Sequence, residues 1–296
     1  MREIVIFGDS TCDLGKDIRD KYGLDYVPMN YVLEGKEYKA SLDWEAMSVK
    51  DFYNCMREGK TITTTQVPRQ VFEASFRQAL EQGKDIIYIS CSGVLSGSIG
   101  QASIIAKELL EEYPDAKIRC VDSLNSSFGQ GIEMMWASEM RAKGYNVDEI
   151  ADRIEADRLK VHQVAFPEKL SYLKKAGRVT ASSAFFGNII GIKPILISDA
   201  KGQNYALKKV KGMKAAIAEL VNMVADEIRD AQDQIVYISH ADAEETANIL
   251  REQILEKTKC KDVVYGYIGP IVGASVGPGT VAAYFVGDEV TMIGEA

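Results

Sequence analysis

The feature that most constrains the fold is an alternation between short apolar runs and longer segments of helical period. Residues 3–8 and 85–90 are strand-like, and the second run leads into residues 97–112, whose apolar side chains recur at helical spacing. A further run at 117–121 precedes a long helical segment at 126–143. Strands that alternate with helices of this length favour a parallel sheet with helices on both faces.

The second half of the chain has a different pattern. Residues 193–197 and 205–210 are typical of strands and flank a turn at 199–202, which predicts an antiparallel pair. Residues 269–279 are interpreted as a glycine-rich loop. The fold class is therefore α/β in two domains. We expect an N-terminal parallel-sheet α/β/α domain at residues 1–158 and a C-terminal α+β domain with a mixed or antiparallel sheet at 159–296.

Composition and charge exclude several functions. Lys and Arg number 35 against 43 Asp and Glu, a net charge of −8, whereas nucleic-acid binding requires clustered cations, so no nucleic-acid partner is expected. No run reaches ~18 consecutive apolar residues, so no integral membrane segment is expected. The first residues lack the pattern of a signal peptide, and we expect a cytoplasmic protein.

Cysteine and histidine usage argues against a metal site. The five cysteines form no CxxC pair, and the chain has only two histidines. Structural zinc sites require several such ligands at short spacing. We therefore expect reduced thiols, no metal and no cofactor.

Gly8-Asp9-Ser10 ends the first strand and offers one enzymatic alternative. It resembles the opening of the GDSL hydrolases, in which this serine is the nucleophile. Such an esterase needs a histidine base with an aspartate three residues before it, and neither histidine of this chain has one. The other interpretation is a turn that the Asp9 and Ser10 side chains stabilise through hydrogen bonds to the backbone.

Two hydroxyl-rich segments are candidates for an anion site. Residues 63–65 are three consecutive threonines, and Ser96-Gly97-Ser98 opens a helix for which Ser96 is a candidate N-cap. Helix N-termini attract carboxylates and phosphates, and ligands often bind beyond the carboxyl ends of parallel strands. A capped helix beside a polar loop would explain the same residues, so both interpretations stay open.

An ordered series of motifs gives a stronger indication. These motifs are DSTCDL at 9–14, TTQ at 64–66, SGVLSGS at 92–98, Asp122-Ser123 with Gly129, LSYLKKAGRV at 170–179, KPIL at 193–196 and IGPIVGASVGPG at 268–279. Their order and spacing resemble those of the DegV family over nearly the whole chain. The resemblance implies two α/β domains with a long-chain fatty acid bound between or within them, by a protein that is not itself an enzyme.

The resemblance also implies roles for individual residues. The hydroxyls of Thr64 and Ser96 would hold the fatty-acid carboxylate, helped by the backbone N–H groups of Thr65 and Gly97. Family members commonly have Ser and Pro where this chain has Thr65 and Val67. The bound fatty acid is the only ligand implied.

A kinase partner is a further implication of the resemblance. In bacterial fatty acid kinase systems, proteins of this family present the acyl carboxylate to a separate kinase subunit, which yields acyl phosphate. Arg178 matches the arginine of the family's Lys-Lys-Gly-Gly-Arg motif, and the resemblance implies that it faces the phosphate or the kinase. Ser275 stands where kinase-coupled members carry histidine, so we expect normal lipid binding with weak kinase support or a divergent partner.

The acyl chain would need an apolar tunnel. Candidates to line it are Phe185, Phe186, Ile189, Ile190 and Ile192. An ordinary core or a helix packing face explains these residues equally well.

Overall fold

The computed structural model describes residues 2–180 and 191–295. Within them the strands are β1 (Ile4–Asp9), β2 (Asp25–Val27), β3 (Asn30–Leu33), β4 (Lys36–Lys39), β5 (Ile62–Thr65), β6 (Asp85–Ser90), β7 (Ile118–Asp122), β8 (Val161–Phe166), β9 (Ile192–Ser198), β10 (Asn204–Lys211), β11 (Ile235–His240), β12 (Asp262–Tyr267) and β13 (Val281–Val286). The helices are α1 (Lys16–Tyr22), α2 (Val49–Arg57), α3 (Arg69–Glu81), α4 (Ser98–Glu112), α5 (Phe128–Ala142), α6 (Val147–Asp157), α7 (Ser171–Ala176), α8 (Met213–Glu227), α9 (Glu244–Thr258) and α10 (Pro270–Val276).

The first sheet is the predicted parallel one, in the order β2-β1-β6-β7. Along β6, Ile86 and Tyr88 pack into the core that contains α3 and α4, whereas Ile87 and Ile89 pack into the core that contains α5 and α6. A strand buried on both faces is continuously apolar, which is why residues 85–90 lack the polar alternation of a surface strand.

A second, three-stranded antiparallel sheet was not predicted. It has the order β4-β3-β5, and we call it the hairpin sheet. The two-residue connection between β3 and β4 is Glu34-Gly35, and both residues have positive φ, at 51° and 79°. Positive φ at both positions matches the right-handed twist of a hairpin, and the glycine makes it accessible at no steric cost. That dipeptide was the available sequence signal.

The third sheet is mixed, in the order β10-β9-β8-β13-β11-β12, with only β11 and β12 parallel to each other. The predicted antiparallel pairing of β9 with β10 is confirmed. One face of this mixed sheet packs on α8 and α9. The other faces α5, whose Phe128 stacks on Tyr237 with the ring centroids 5.3 Å apart. The predicted α/β class, with a parallel and a mixed sheet, is therefore confirmed.

The interpretation of residues 269–279 as a loop is wrong, because they contain α10. Pro270 occupies the first helical turn, where its missing N–H costs no hydrogen bond. Gly273 permits close packing: a β-carbon there would lie 2.4 Å from the Tyr53 hydroxyl. Gly277 ends the helix with φ of +79°. Two of the glycines thus serve helix packing and helix termination.

The predicted domain boundary at 158/159 falls between α6 and β8, and it stays a prediction. The main consequence for function is where the sheets meet. The carboxyl ends of β1 and β6, the edge of the hairpin sheet, α10 and the inner face of the mixed sheet all contribute to one cavity.

Candidate functional site

The cavity has a volume of about 210 Å³. Thr11 and Cys91, which follow β1 and β6, line it beside Ile268 and Ile271 from the region of α10. Loops beyond the carboxyl ends of parallel strands are the usual place for ligands in open α/β sheets.

All six site residues expected from the sequence line this cavity. They are Thr64, Thr65, Ser96, Gly97, Arg178 and Ser275. Each is half-buried or exposed, so together they form an opening that we call the mouth. The structure brings the six together, while their roles stay predictions.

Ser96 approaches the mouth just before α4. The expectation that Ser96 is the N-cap is off by one residue, since Gly97 occupies that position. The Ser96 hydroxyl accepts from the Ser98 N–H at 3.3 Å and lies 3.0 Å from the Ser98 hydroxyl, which itself accepts from the Val67 N–H at 3.2 Å. When Ser98 donates its proton to Ser96, the Ser96 O–H is left to donate into the cavity.

Gly97 and Gln66 connect the two hydroxyl-rich segments. A β-carbon at position 97 would lie only 2.4 Å from Gln66 Oε1, so glycine permits this approach. The Gly97 N–H donates to no other residue in the described part of the chain. It stands at the N-terminus of a 15-residue helix, where the unpaired N–H groups and the helix dipole favour an anion.

Thr64 and Thr65 belong to β5, an edge strand of the hairpin sheet. The Thr64 hydroxyl has no hydrogen-bond partner among residues 2–180 and 191–295, whereas the Thr65 hydroxyl donates to the Asn30 carbonyl at 3.4 Å. Alternate N–H groups of an edge strand face away from its single partner. This edge therefore adds hydroxyl and backbone donors to the mouth.

Arg178 supplies positive charge next to Ser96. Its Nε donates to the Leu95 carbonyl at 3.1 Å, and its Nη1 donates to the Ala176 carbonyl at 2.6 Å. No described carboxylate forms an ion pair with it. The mouth thus carries a cation fixed by two carbonyls and available to an anionic ligand.

A second cavity of about 350 Å³ adjoins the mouth and shares Thr64, Arg178 and Ser275 with it. Lys60 and Lys175 also line it. Lys60 is paired with Glu34 at 3.4 Å, and Lys175 donates to the Thr61 hydroxyl at 2.7 Å. This outer cavity therefore has a cationic wall.

Strand residues of the mixed sheet form another part of the cavity lining, which we call the far wall. They are Gln163, Ala165, Leu196, Asn204, Ala282 and Tyr284, each 8% exposed or less. The sequence analysis predicted several of these segments as strands but did not assign any of their side chains to a ligand site. A glutamine within the apolar strand HQVAF was the available signal.

Ser10 hydrogen-bonds to backbone groups, as expected if its side chain stabilises the turn after β1 and is not a nucleophile. Its side chain is fully buried, its hydroxyl donates to the Ala40 carbonyl at 2.7 Å, and it accepts from the Met29 N–H at 3.0 Å. No described histidine hydrogen-bonds to it, and burial lowers the pKa of His240 to about 4. A serine without a base or access to substrate does not support the esterase alternative.

The remaining sequence-based expectations concern the tunnel residues, metal ligands and membrane-spanning segments. Phe185, Phe186, Ile189 and Ile190 lie outside the described residues, and Ile192 begins β9 half-buried. Within the described ranges, no group of three or more His, Cys, Asp or Glu side chains is arranged to hold a metal ion. No described helix is both long and apolar enough to cross a membrane.

Comparison with known proteins gives a consistent result. Residues 3–288 match the family model described as an uncharacterised protein of the DegV family. A DegV domain-containing protein of Clostridium perfringens is 34% identical over 288 residues, 97% of this chain and 99% of the relative. Another, from Streptococcus pyogenes, is 31% identical over 283 residues, 95% of this chain and 97% of the relative.

Solved structures agree with the sequence relatives. A DegV family protein from Thermus thermophilus, described by its fatty-acid binding, superposes with a TM-score of 0.87 at 26% identity, over 97% of this chain and all of that one. A DegV lipid-binding protein from Thermotoga maritima gives a TM-score of 0.85 at 25% identity, over 98% of this chain and all of that one.

Proposed function

The chain belongs to the DegV family, and from this premise and the cavity we propose that it binds a long-chain fatty acid with the carboxylate at the mouth. The observation that carries the proposal is the convergence of hydroxyls, a free helix N-terminus and the Arg178 guanidinium at one opening of a cavity whose interior is largely apolar. The solved DegV relatives that are described as fatty-acid or lipid binders support the same ligand class.

In this proposal the head group is held mainly by neutral donors. Thr64 and Ser96 donate their hydroxyl protons to the carboxylate oxygens, and the N–H groups of Thr65 and Gly97 add backbone donors. Hydrogen bonds to an ionised group are about twice as strong as neutral ones, so a few suffice to fix the head group. Each buried methylene of the acyl chain contributes about 0.8 kcal/mol, which makes the chain the main source of affinity.

The test is an equilibrium titration of delipidated protein with a fluorescent fatty acid, followed by competition with unlabelled acids. Palmitic and stearic acids are expected to displace the probe at micromolar concentration or below, and short-chain acids such as butyric acid are not. Failure of every long-chain acid to bind would overturn the proposal.

We further propose that the protein presents the bound carboxylate to a kinase subunit. A carboxylate oxygen would attack the terminal phosphorus of ATP, and the bond to ADP would break, which leaves an acyl phosphate on this protein. The outer cavity beside the mouth supports this step, because Arg178, Lys60 and Lys175 give it the charge that phosphate oxygens require.

Ser275 tests the kinase step separately from lipid binding. The family resemblance implies an imidazole at this position in kinase-coupled members, and the Ser275 hydroxyl has a shorter reach and cannot carry the positive charge of a protonated imidazole. Ser275→His is expected to raise acyl phosphate formation by a compatible fatty acid kinase, while fatty-acid affinity stays within about threefold. Full turnover by the wild type, with no gain in the variant, would remove position 275 from the kinase proposal.

A further inference from the structure

The far wall carries more polarity than a plain alkyl chain requires. Gln163, Asn204 and Tyr284 place amides and a hydroxyl among Ala165, Leu196 and Ala282, all of them buried residues of the cavity lining. A polar group that faces hydrocarbon without a hydrogen-bond partner is costly, so such groups are normally paired.

Most of these polar atoms have partners within the protein. Gln163 Nε2 donates to Asn204 Oδ1 at 2.9 Å, and Asn204 Nδ2 donates to the Arg178 carbonyl at 3.1 Å. The Tyr284 hydroxyl accepts from the Ser239 hydroxyl at 3.3 Å. These bonds fix the orientation of the Gln163 amide and turn its carbonyl oxygen away from Asn204.

Two polar side-chain groups of the cavity lining form no hydrogen bond with any described residue. Gln163 Oε1 accepts no hydrogen bond from any residue that the structure describes. Ser126 also lines the cavity, is 7% exposed, and its hydroxyl bonds to no described residue. One is an acceptor, and the other both donates and accepts.

Both groups line the cavity, and both are tied to Tyr284 by their neighbours. Gln163 and Tyr284 are directly opposite each other in the pairing of β8 with β13. Phe128, two residues after Ser126, packs against the Tyr284 ring with the centroids 6.3 Å apart. The segment before α5 and the polar part of the far wall therefore both lie beside Tyr284.

From this arrangement we propose that the preferred ligand is a long-chain fatty acid that carries a hydroxyl group part-way along its chain. This inference rests on the proposed function and refines its ligand class. A chain hydroxyl donates to Gln163 Oε1 and accepts from the Ser126 O–H, so it satisfies both groups. A keto group only accepts and satisfies Ser126 alone, and a methylene satisfies neither. The expected order of affinity is hydroxy acid, then keto acid, then unsubstituted acid.

The experiment compares stearic acid with eighteen-carbon acids in which one hydroxyl moves along the chain a carbon at a time, using the same displacement titration. One isomer, or two neighbouring ones, are expected to bind about tenfold more tightly than stearic acid, because a site built for a hydroxyl discriminates against its absence. The matching keto acid should fall between them.

Two variants test the residues. Ser126→Ala and Gln163→Leu are each expected to reduce the preference for the hydroxy acid to about threefold or less, and Gln163→Leu should bind stearic acid at least as tightly as the wild type. Two variants are used because Gln163 also bonds Asn204, whereas Ser126→Ala breaks no internal side-chain bond. Ser103→Ala is the matched control, since its hydroxyl bonds within α4 to the Ile99 carbonyl.

The outcomes separate the two proposals. If stearic acid binds as tightly as every hydroxy isomer, the inference fails and fatty-acid binding stands. If the preference appears but persists in both variants, the assignment to Ser126 and Gln163 is overturned. If no eighteen-carbon acid binds at all, the proposed function fails, and this inference fails with it.

Discussion

The mouth and the far wall of the cavity differ in secondary structure, in exposure and in charge. The mouth combines an edge strand, a helix N-terminus and a cation held by carbonyls, and its residues are half-buried or exposed. The far wall consists of strand side chains in fixed register, all buried and none charged. Under the two proposals, the mouth holds the carboxylate that all fatty acids share, and the far wall distinguishes one acyl chain from another.

Removal of both mouth hydroxyls should have the largest effect on binding. In the double variant Thr64→Ala/Ser96→Ala, the carboxylate loses two hydroxyl donors, each worth roughly 10- to 100-fold in affinity. We expect fatty-acid affinity to fall by at least about 100-fold in a displacement titration. A long-chain alcohol of the same length should lose much less, because it brings no ionised group.

Stability must be measured in parallel, because Ser96 also accepts from the Ser98 N–H. Ser103→Ala should match the wild type in both binding and unfolding. Unchanged affinity in a folded double variant would move the head group away from the mouth.

Asp13 tests the attachment of α10, the helix that contributes Ser275 to the mouth. Its Oδ1 accepts from the Gly269 N–H at 2.9 Å and so fixes the start of α10, which contributes to the mouth and to the cavity interior. Burial raises the pKa of Asp13 from 3.8 to about 8, and its Oδ2 is buried without a partner.

Between about pH 4 and pH 8, the Asp13 carboxyl therefore keeps its proton in the folded protein, whereas the unfolded chain has already released it. Since the folded state binds more protons there, this residue makes the free energy of unfolding fall by about 1.4 kcal/mol per pH unit as the pH rises, and the loss ends near pH 8. Asp13→Asn should flatten that slope in denaturant titrations at several pH values. An identical slope in the variant would show that Asp13 titrates normally.

A larger side chain in the far wall should change the preference for the length of the acyl chain. Ala282 and Ala165 are paired across β13 and β8 and both line the cavity, so Ala282→Leu adds bulk to the far wall. We expect affinity for an eighteen-carbon acid to fall about tenfold, while an acid shorter by about three methylenes loses little. Ala142→Leu, at an exposed position at the end of α5, is the matched control. Equal losses for long and short acids would contradict a wall that selects length.

Removal of the Arg178 charge from the mouth should have the smallest effect on fatty-acid affinity. Arg178 is exposed, so its attraction to a carboxylate is screened by solvent. Arg178→Gln should weaken fatty-acid binding a few-fold at low salt and by less at high salt. Arg153→Gln removes a similarly exposed charge from α6 and should change nothing. A loss that ignores salt would indicate that Arg178 acts through its hydrogen bond to Leu95 instead of its charge.

The sequence predicted the mouth better than the wall, for physical reasons. Glycines, hydroxyl clusters and Arg178 stand out because few core positions need such residues, and their motifs resemble a known family. The far wall depends on which face of a strand meets the cavity, and although Gln163 is a visible polar residue in an apolar strand, the sequence does not say what it faces before the sheet order is known. The hairpin sheet was missed for a similar reason, since β3, β4 and β5 are each only four residues long and have little periodicity.

The most direct test of the account is mass spectrometry of lipids extracted from purified protein, with the wild type and the Thr64→Ala/Ser96→Ala variant prepared side by side. The account predicts that the wild type carries long-chain fatty acid in near-stoichiometric amount and that the folded variant carries little. Extracts that contain no fatty acid from a wild-type protein that also fails to bind added acid would contradict it.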